Sequence, residues 1–245
     1  MKASPAEQQE LLRLQSIDTR IAQLAHRLGA LPQTAPLAEL AQRDADVRGT
    51  RAEAIGTLED AKAELARLES DVALVEARMA RDSERLQHTS SVKDVNALEA
   101  ELASLAKRRS DLEDQELVVM ERVEEAEVAV SSIDLQRAAI VTEVAALEAE
   151  RDEAAGTLTV EREQTQRDRE VVAAGVPGEL LAFYEQRRTK GAGVGAALLR
   201  QRTCGGCTMT LTGSDLESVR RAAPDEVLQC PECDRILVRT DESGL

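Results

Sequence analysis

The chain has 245 residues, a formal net charge of −15, one Phe, one Tyr and no Trp. Enzyme cores are normally built around aromatic side chains, so this composition argues against one and reads as long helices with a small module attached. Residues 1–173 hold 36 acidic and 22 basic side chains and should repel nucleic acid, whereas residues 174–245 hold 10 and 9, leaving only that stretch for an anionic partner.

No apolar run is long enough to cross a bilayer, and Met1-Lys2-Ala3-Ser4-Pro5 leads straight into acidic, amphipathic sequence. The expectation is a cytoplasmic protein without a membrane partner. Arg outnumbers Lys 26 to 5, which with the abundant Ala suggests a GC-rich bacterial genome.

From Ala6 to Leu31, the residues Leu14, Ile17, Ile21, Leu24, Leu28 and Leu31 recur at spacings of three and four, forming one helical seam. Gly29, Pro32 and Pro36 interrupt it, and because proline removes a helical hydrogen bond, a kink is expected near residues 30–37. The seam resumes at Leu37 and runs through Leu58, Ala61, Leu65, Leu68, Val72, Val75, Met79 and Leu86, with Asp82 as the intruder. A repeat of 3.5 residues sustained this long predicts a coiled coil.

At Gln87–Ser91 the apolar pattern stops, and Ser91 with Asp94 makes a start resembling a capping box, so the chain turns near 87–92. The seam restarts at Val95 and holds to Leu147, broken by Arg109, Glu116 and Arg137. The arms, roughly 5–87 and 92–173, are similar in length, which favours an antiparallel helical hairpin with arms on the order of 120 Å long. Such a rod has no room for an enclosed active site. If Leu86 lies opposite Val95, Asp44 faces Arg137, either as a charge layer that fixes register or as two side chains reaching past the seam to solvent.

The predicted organisation is therefore a hairpin over residues 1–173 and a linker helix with a small β-rich module over residues 174–245. Nine of the thirteen glycines lie from Gly175 onward, marking the change to turn-rich structure. Glu179–Arg188 reads as a short helix carrying both aromatics, Phe183 and Tyr184, either to pack the module against the hairpin end or to stack on bases. Gly191–Gly195 lacks the lysine of a phosphate loop and reads as a link. Residues 196–203, 208–212, 226–229 and 235–239 are candidate strands, and Ser214 or Asp215 is the expected cap of a short helix reaching Ala222.

All four cysteines fall in this module as two Cys-x-x-Cys pairs, Cys204 with Cys207 and Cys230 with Cys233, separated by 22 residues. Two residues between sulfurs allow a tight turn that aims both at one ion, so four thiolates can hold one structural Zn²⁺ tetrahedrally. Two disulfides in a secreted protein are the alternative reading, and a redox pair a further one.

Tyr184, Cys-Gly-Gly-Cys at 204–207, and Cys-Pro-Glu-Cys at 230–233 followed closely by Arg235-Ile236-Leu237 resemble the bacterial C4-type zinc ribbon family. Its members join an N-terminal coiled-coil hairpin to a C-terminal ribbon. The resemblance implies that Cys204, Cys207, Cys230 and Cys233 are the metal ligands. It also implies a regulator or chaperone that binds an alternative sigma factor, secretion or flagellar components, or messenger RNA. Asp234 stands where relatives usually have Gly, Thr208 where many have His and Val238 where many have Tyr. None of these is a ligand, so the departures bear on partner choice.

Two functions follow. In the first, a non-enzymatic adaptor offers the hairpin tip, Gln87–Lys93, or the rod's acidic flank to a protein partner while zinc keeps the ribbon folded. In the second, the ribbon binds RNA or DNA through Arg187, Arg188, Lys190, Arg200, Arg202, Arg220 and Arg221, which are opposed within 187–221 only by Asp215 and Glu217. An enzyme is not expected, because His26 and His88 are far apart and no nucleophile has a base beside it. No small-molecule substrate is expected either.

Overall fold

A computed structural model describes residues 1–245. The elements are α1 (Pro5–Gly29), α2 (Thr34–His88), α3 (Val92–Ala174), α4 (Gly178–Lys190), β1 (Ala196–Arg200), β2 (Thr203–Cys204), α5 (Gly213–Arg221), β3 (Leu228–Gln229) and β4 (Ile236–Val238). The protein is mainly α, with long helices in a hairpin and a small C-terminal sheet.

Local chemistry sets the helix ends. Ser4 and Glu7 form a full capping box, with the Glu7 N–H donating to Ser4 Oγ at 3.3 Å and the Ser4 N–H to Glu7 Oε2 at 2.7 Å. Residues 30–33 separate α1 from α2. Pro36 lies in the first turn of α2, where a missing N–H breaks no helical bond. At the start of α3, the Asp94 N–H donates to Ser91 Oγ at 3.4 Å.

The chain divides into two compact units, one of residues 35–148 and one of residues 1–34 with 149–245. In the first, α2 and α3 run antiparallel, joined by Arg78–Glu101 (2.7 Å), Lys62–Glu127 (2.7 Å) and Arg137–Asp44 (3.1 Å). The Asp44–Arg137 layer thus forms as the seam arithmetic predicts. Arg137 bonds Asp44 while keeping 42% of its side chain in solvent. Asp82 is buried in the seam and is met from its own helix by Arg78 and Arg85.

In the second unit the sheet order is β2-β1-β4-β3, with β1 parallel to β4 and the outer pairs antiparallel. The strands are shorter than expected. Gln201 and Arg202 take φ of 46° and 63°, so a two-residue turn splits the predicted 196–203 strand into β1 and β2. Thr208 takes φ 62° directly after Cys207, and residues 208–212 contribute one bridge, Thr203 to Thr210, in place of a strand. The short helix α5 forms, but its N-cap is Thr212, which makes no side-chain capping bond.

Two apolar clusters hold this unit. Leu11 and Leu14 of α1, Val172 of α3, Leu180 and Tyr184 of α4, and Ile236 and Val238 of β4 form one. Leu199, Leu211, Leu216, Val219 and Leu237 gather around Cys204 and Cys230 in the other. Because β4 alternates faces, Ile236 and Val238 serve the first cluster and Leu237 the second. Three consecutive residues thereby join helices to metal centre.

Candidate metal centre

Each Cys-x-x-Cys pair sits on a turn that repeats the same backbone device. The Thr208 N–H donates to the Cys204 carbonyl at 2.8 Å and the Asp234 N–H to the Cys230 carbonyl at 2.9 Å. Both donors are left-handed, at φ 62° and 59°. Asp tolerates that conformation better than most residues, whereas a β-branched Thr does so at a cost. Gly206 turns its N–H to Cys204 Sγ at 3.4 Å, and a side chain there would strike Arg235, whose Cδ would lie 2.7 Å from the added atom.

All four sulfurs lie within 4.8 Å of one another, with Cys204–Cys233 at 3.9 Å and Cys207–Cys230 at 3.8 Å. A tetrahedron of Zn–S bonds about 2.3 Å long has edges of about 3.8 Å, so the donor set fits one Zn²⁺. All four cysteines are free, and sulfurs this far apart are not disulfide-bonded. Cys204 and Cys230 are fully buried, and without a metal that burial raises both thiols, Cys230 to about 12. Burial pushes Cys233 up too, but the Arg235 N–H and neighbouring groups outweigh it and the thiol falls below its ordinary value. A divalent cation would compensate for gathering thiolates where burial alone opposes them. Four thiolates leave zinc no open coordination place, which is the arrangement of a structural metal.

Two arginines outside the expected basic set brace the centre. Arg235 donates to the carbonyls of Val194, Gly206 and Gly191 at 3.2, 3.1 and 2.9 Å, pinning the link after α4 to the first cysteine turn. Arg239 donates to the carbonyls of Val219, Ala222, Ala223 and Glu226 and so closes the end of α5.

A polar hub lies under the sheet. Gln15 Oε1 accepts from the Gly195 N–H at 2.7 Å and from Tyr184 Oη at 3.1 Å, and Gln15 Nε2 donates to the Gly193 carbonyl at 3.0 Å. The single Tyr184 phenolic proton is shared between Gln15 and Asp18, with the shorter contact to Asp18 at 2.7 Å, and Asp18 also accepts from Arg169 at 2.6 Å. Burial, followed by the bond to Asp18, raises the Tyr184 phenol well above its ordinary range. The hydrogen bond to Asp18 raises the Arg169 guanidinium above its already high ordinary value. Glu185 is pushed up by burial, yet Arg169 and Arg188 outweigh that and hold it below the usual carboxylate range. With Tyr184 fully buried in this hub, base stacking is closed to it. Phe183 is partly buried, with the Arg187 guanidinium 4.9 Å from its ring centre.

Six of the seven expected basic residues are dispersed among partners. Arg187 lies 4.0 Å from Asp234, and Arg188 reaches Glu185 and Asp18. Arg200 pairs with Glu242, Arg202 donates to the Gly244 carbonyl, and Arg220 and Arg221 share Glu217. Lys190 is exposed at the end of α4.

Gln8, Gln15 and Asp18 were not legible as core, because polar residues carry no apolar signal. They repeat with Leu11 at spacings of three, four and three, and that periodicity is the clue a purely apolar search passes over.

Comparison with known proteins agrees with this geometry. Residues 14–192 match a CT398-like coiled coil hairpin domain and residues 203–237 a C4-type zinc ribbon domain. An uncharacterized protein of Mycobacterium tuberculosis is 33% identical over 243 residues, covering 98% of each chain. A solved structure from Mycobacterium smegmatis has a TM-score of 0.87 at 33% identity, over 98% of this chain and 100% of that one. CT398 from Chlamydia trachomatis gives a TM-score of 0.65 at 21% identity, over 96% and 98% of the two chains, and shows shared fold alone.

Proposed function

We propose, because this chain belongs to the CT398-like coiled coil hairpin family and carries a C4-type zinc ribbon, that it is a non-enzymatic adaptor or regulator acting in the cytoplasm. Cys204, Cys207, Cys230 and Cys233 are its zinc ligands, and the hairpin is its protein-binding surface. The observation that carries this reading is the closed set of four sulfurs, which leaves the metal a folding role and no place for substrate. Function then falls to surfaces, and the helices supply most of them. By family resemblance the partner is a transcription or secretion component.

A nucleic-acid role for the ribbon ranks second. The local excess of basic residues supports it, but acidic neighbours offset Arg187, Arg188, Arg200, Arg220 and Arg221. The test is a crosslinked pull-down from native cytosol, with bound protein and nucleic acid both sequenced. The wild type is compared with a variant carrying Arg200→Ala, Arg202→Ala, Arg220→Ala and Arg221→Ala, at low and moderate salt. Protein recovered equally by both supports the adaptor. Nucleic acid recovered only by the wild type, and lost with salt, would transfer recognition to the ribbon.

A further inference from the structure

The seam of α3 is only one of its periodic faces. Val128, Ser131, Leu135, Ala138, Thr142 and Ala145 recur at spacings of three, four, three, four and three, and every one is exposed. Val128 and Leu135 are 69% and 70% exposed, although large apolar residues. These positions lie away from the buried seam residues Val123, Ala126 and Ile140. Outward positions of a two-helix coiled coil ordinarily carry charge, yet none of these six does. The result is a second seam about 26 Å long, unfilled within the chain.

The surrounding charge identifies what fits. Residues 123–148 contain Glu124, Glu125, Glu127, Asp134, Glu143 and Glu148, against one base, Arg137. Arg137 is committed to Asp44. Glu127 and Asp134 pair with Lys62 and Arg51, while Glu124, Glu125, Glu143 and Glu148 have no ion-pair partner in the chain. A second copy of this face would set acid against acid at both margins, so it is a poor occupant. The geometry points to a single amphipathic helix of another protein, with small apolar residues along its ridge and Lys or Arg on both flanks, docking on α3 residues 128–145. This inference rests on the adaptor reading and names the partner's chemistry and the face it uses.

The test uses the full zinc-loaded chain and a synthetic helix with Ala and Leu on its ridge and Lys on its flanks, read by fluorescence anisotropy. A twin peptide with Glu flanks is the control. The Lys helix is expected to bind in the micromolar range and weaken with salt, and the Glu twin not to bind. Val128→Gln with Leu135→Gln removes the ridge without altering charge and should weaken binding by about tenfold or more. Glu143→Gln with Glu148→Gln should flatten the salt dependence. The matched exposed change Leu74→Gln should do neither.

Absence of binding, equal binding by both peptides, or indifference to the Val128 and Leu135 changes would overturn the assignment. So would sedimentation showing a dimer that those changes dissolve. A photocrosslinker at position 135, compared with one at position 90, separates this inference from its premise. A cytosolic partner crosslinked only at 90 would remove this face and leave the adaptor standing. A chain that captures nothing at either position would count against both.

Discussion

The unit of residues 35–148 repeats one interaction many times, whereas the ribbon-bearing unit makes a few interactions once each. Along α2 and α3, each seam layer contributes modestly, and an intruder such as Asp82 is accommodated by arginines one turn away. Around Tyr184, three elements converge on Gln15 and Asp18, and no neighbouring layer repeats the arrangement. Repetition gives tolerance, and a buried hub gives specificity at the risk of single-residue failure.

Metal loss is expected to have the largest effect. Cys230→Ser, or chelation, should take bound zinc from one per chain to none and open residues 203–237 to proteolysis, while circular dichroism keeps most of its helical signal. Structural zinc carries apparent folding free energy of about 10 kcal/mol or more, so an intact ribbon without metal would contradict the centre.

Asp18→Ala comes next. It leaves Arg169 and Tyr184 without their shared buried acceptor and should destabilise the ribbon-bearing unit by about 3 kcal/mol in denaturant unfolding. Asp44→Ala, at a carboxylate that keeps 22% of its surface in solvent and is flanked by Arg48 and Arg137, should cost about 1 kcal/mol. Equal losses at the two sites would erase the contrast between the units.

Tyr184→Phe should cost about 1–2 kcal/mol, by removing the hydroxyl that donates to buried Asp18 and lies within hydrogen-bond reach of Gln15. Its pH dependence is a sharper reading. The folded-state pKa lies above the ordinary value of 10, so the folded protein holds the phenolic proton more tightly than the unfolded chain. That contribution is complete below pH 10 and declines as pH rises beyond it. Tyr184 is the only Tyr and no Trp is present, so ultraviolet absorbance of the phenolate reads this one group. A midpoint near 10 in the folded protein would mean that the hub admits water.

The smallest expected effect is a gain. Asp234 occupies a left-handed position, and Asp234→Gly should stabilise the ribbon by about 1 kcal/mol, seen as slower zinc transfer to a chelator. The ion pair with Arg187 that this change removes is long, at 4.0 Å, with the Asp234 side chain in solvent, so it offsets little. Faster transfer would show that the carboxylate matters more than the backbone.

Much of this was legible beforehand because it depends on periodicity and spacing. The apolar repeat from Leu37 to Leu86 and from Val95 to Leu147 gave the helices and the partner of Arg137, since a coiled coil reads its register from near-neighbour rules. Two Cys-x-x-Cys pairs gave the metal centre, because covalent geometry alone brings each pair of sulfurs together. The fate of the basic residues was not legible. Glu242 lies beside Arg200 and Asp18 beside Arg188 only after distant segments meet, so local charge counting could not show these pairs.

The sequence by itself determined the helical arms, the turn between them, the four-thiolate donor set and the mainly α class, all consequences of local repeats. Tertiary structure alone decided that Gln15 and Asp18 face Tyr184 and Gly195, that Arg235 and Arg239 collect carbonyls, and that residues 208–212 form no strand. The physical reason is that a buried polar group is specified by the partners that satisfy it, and those partners lie far away along the chain.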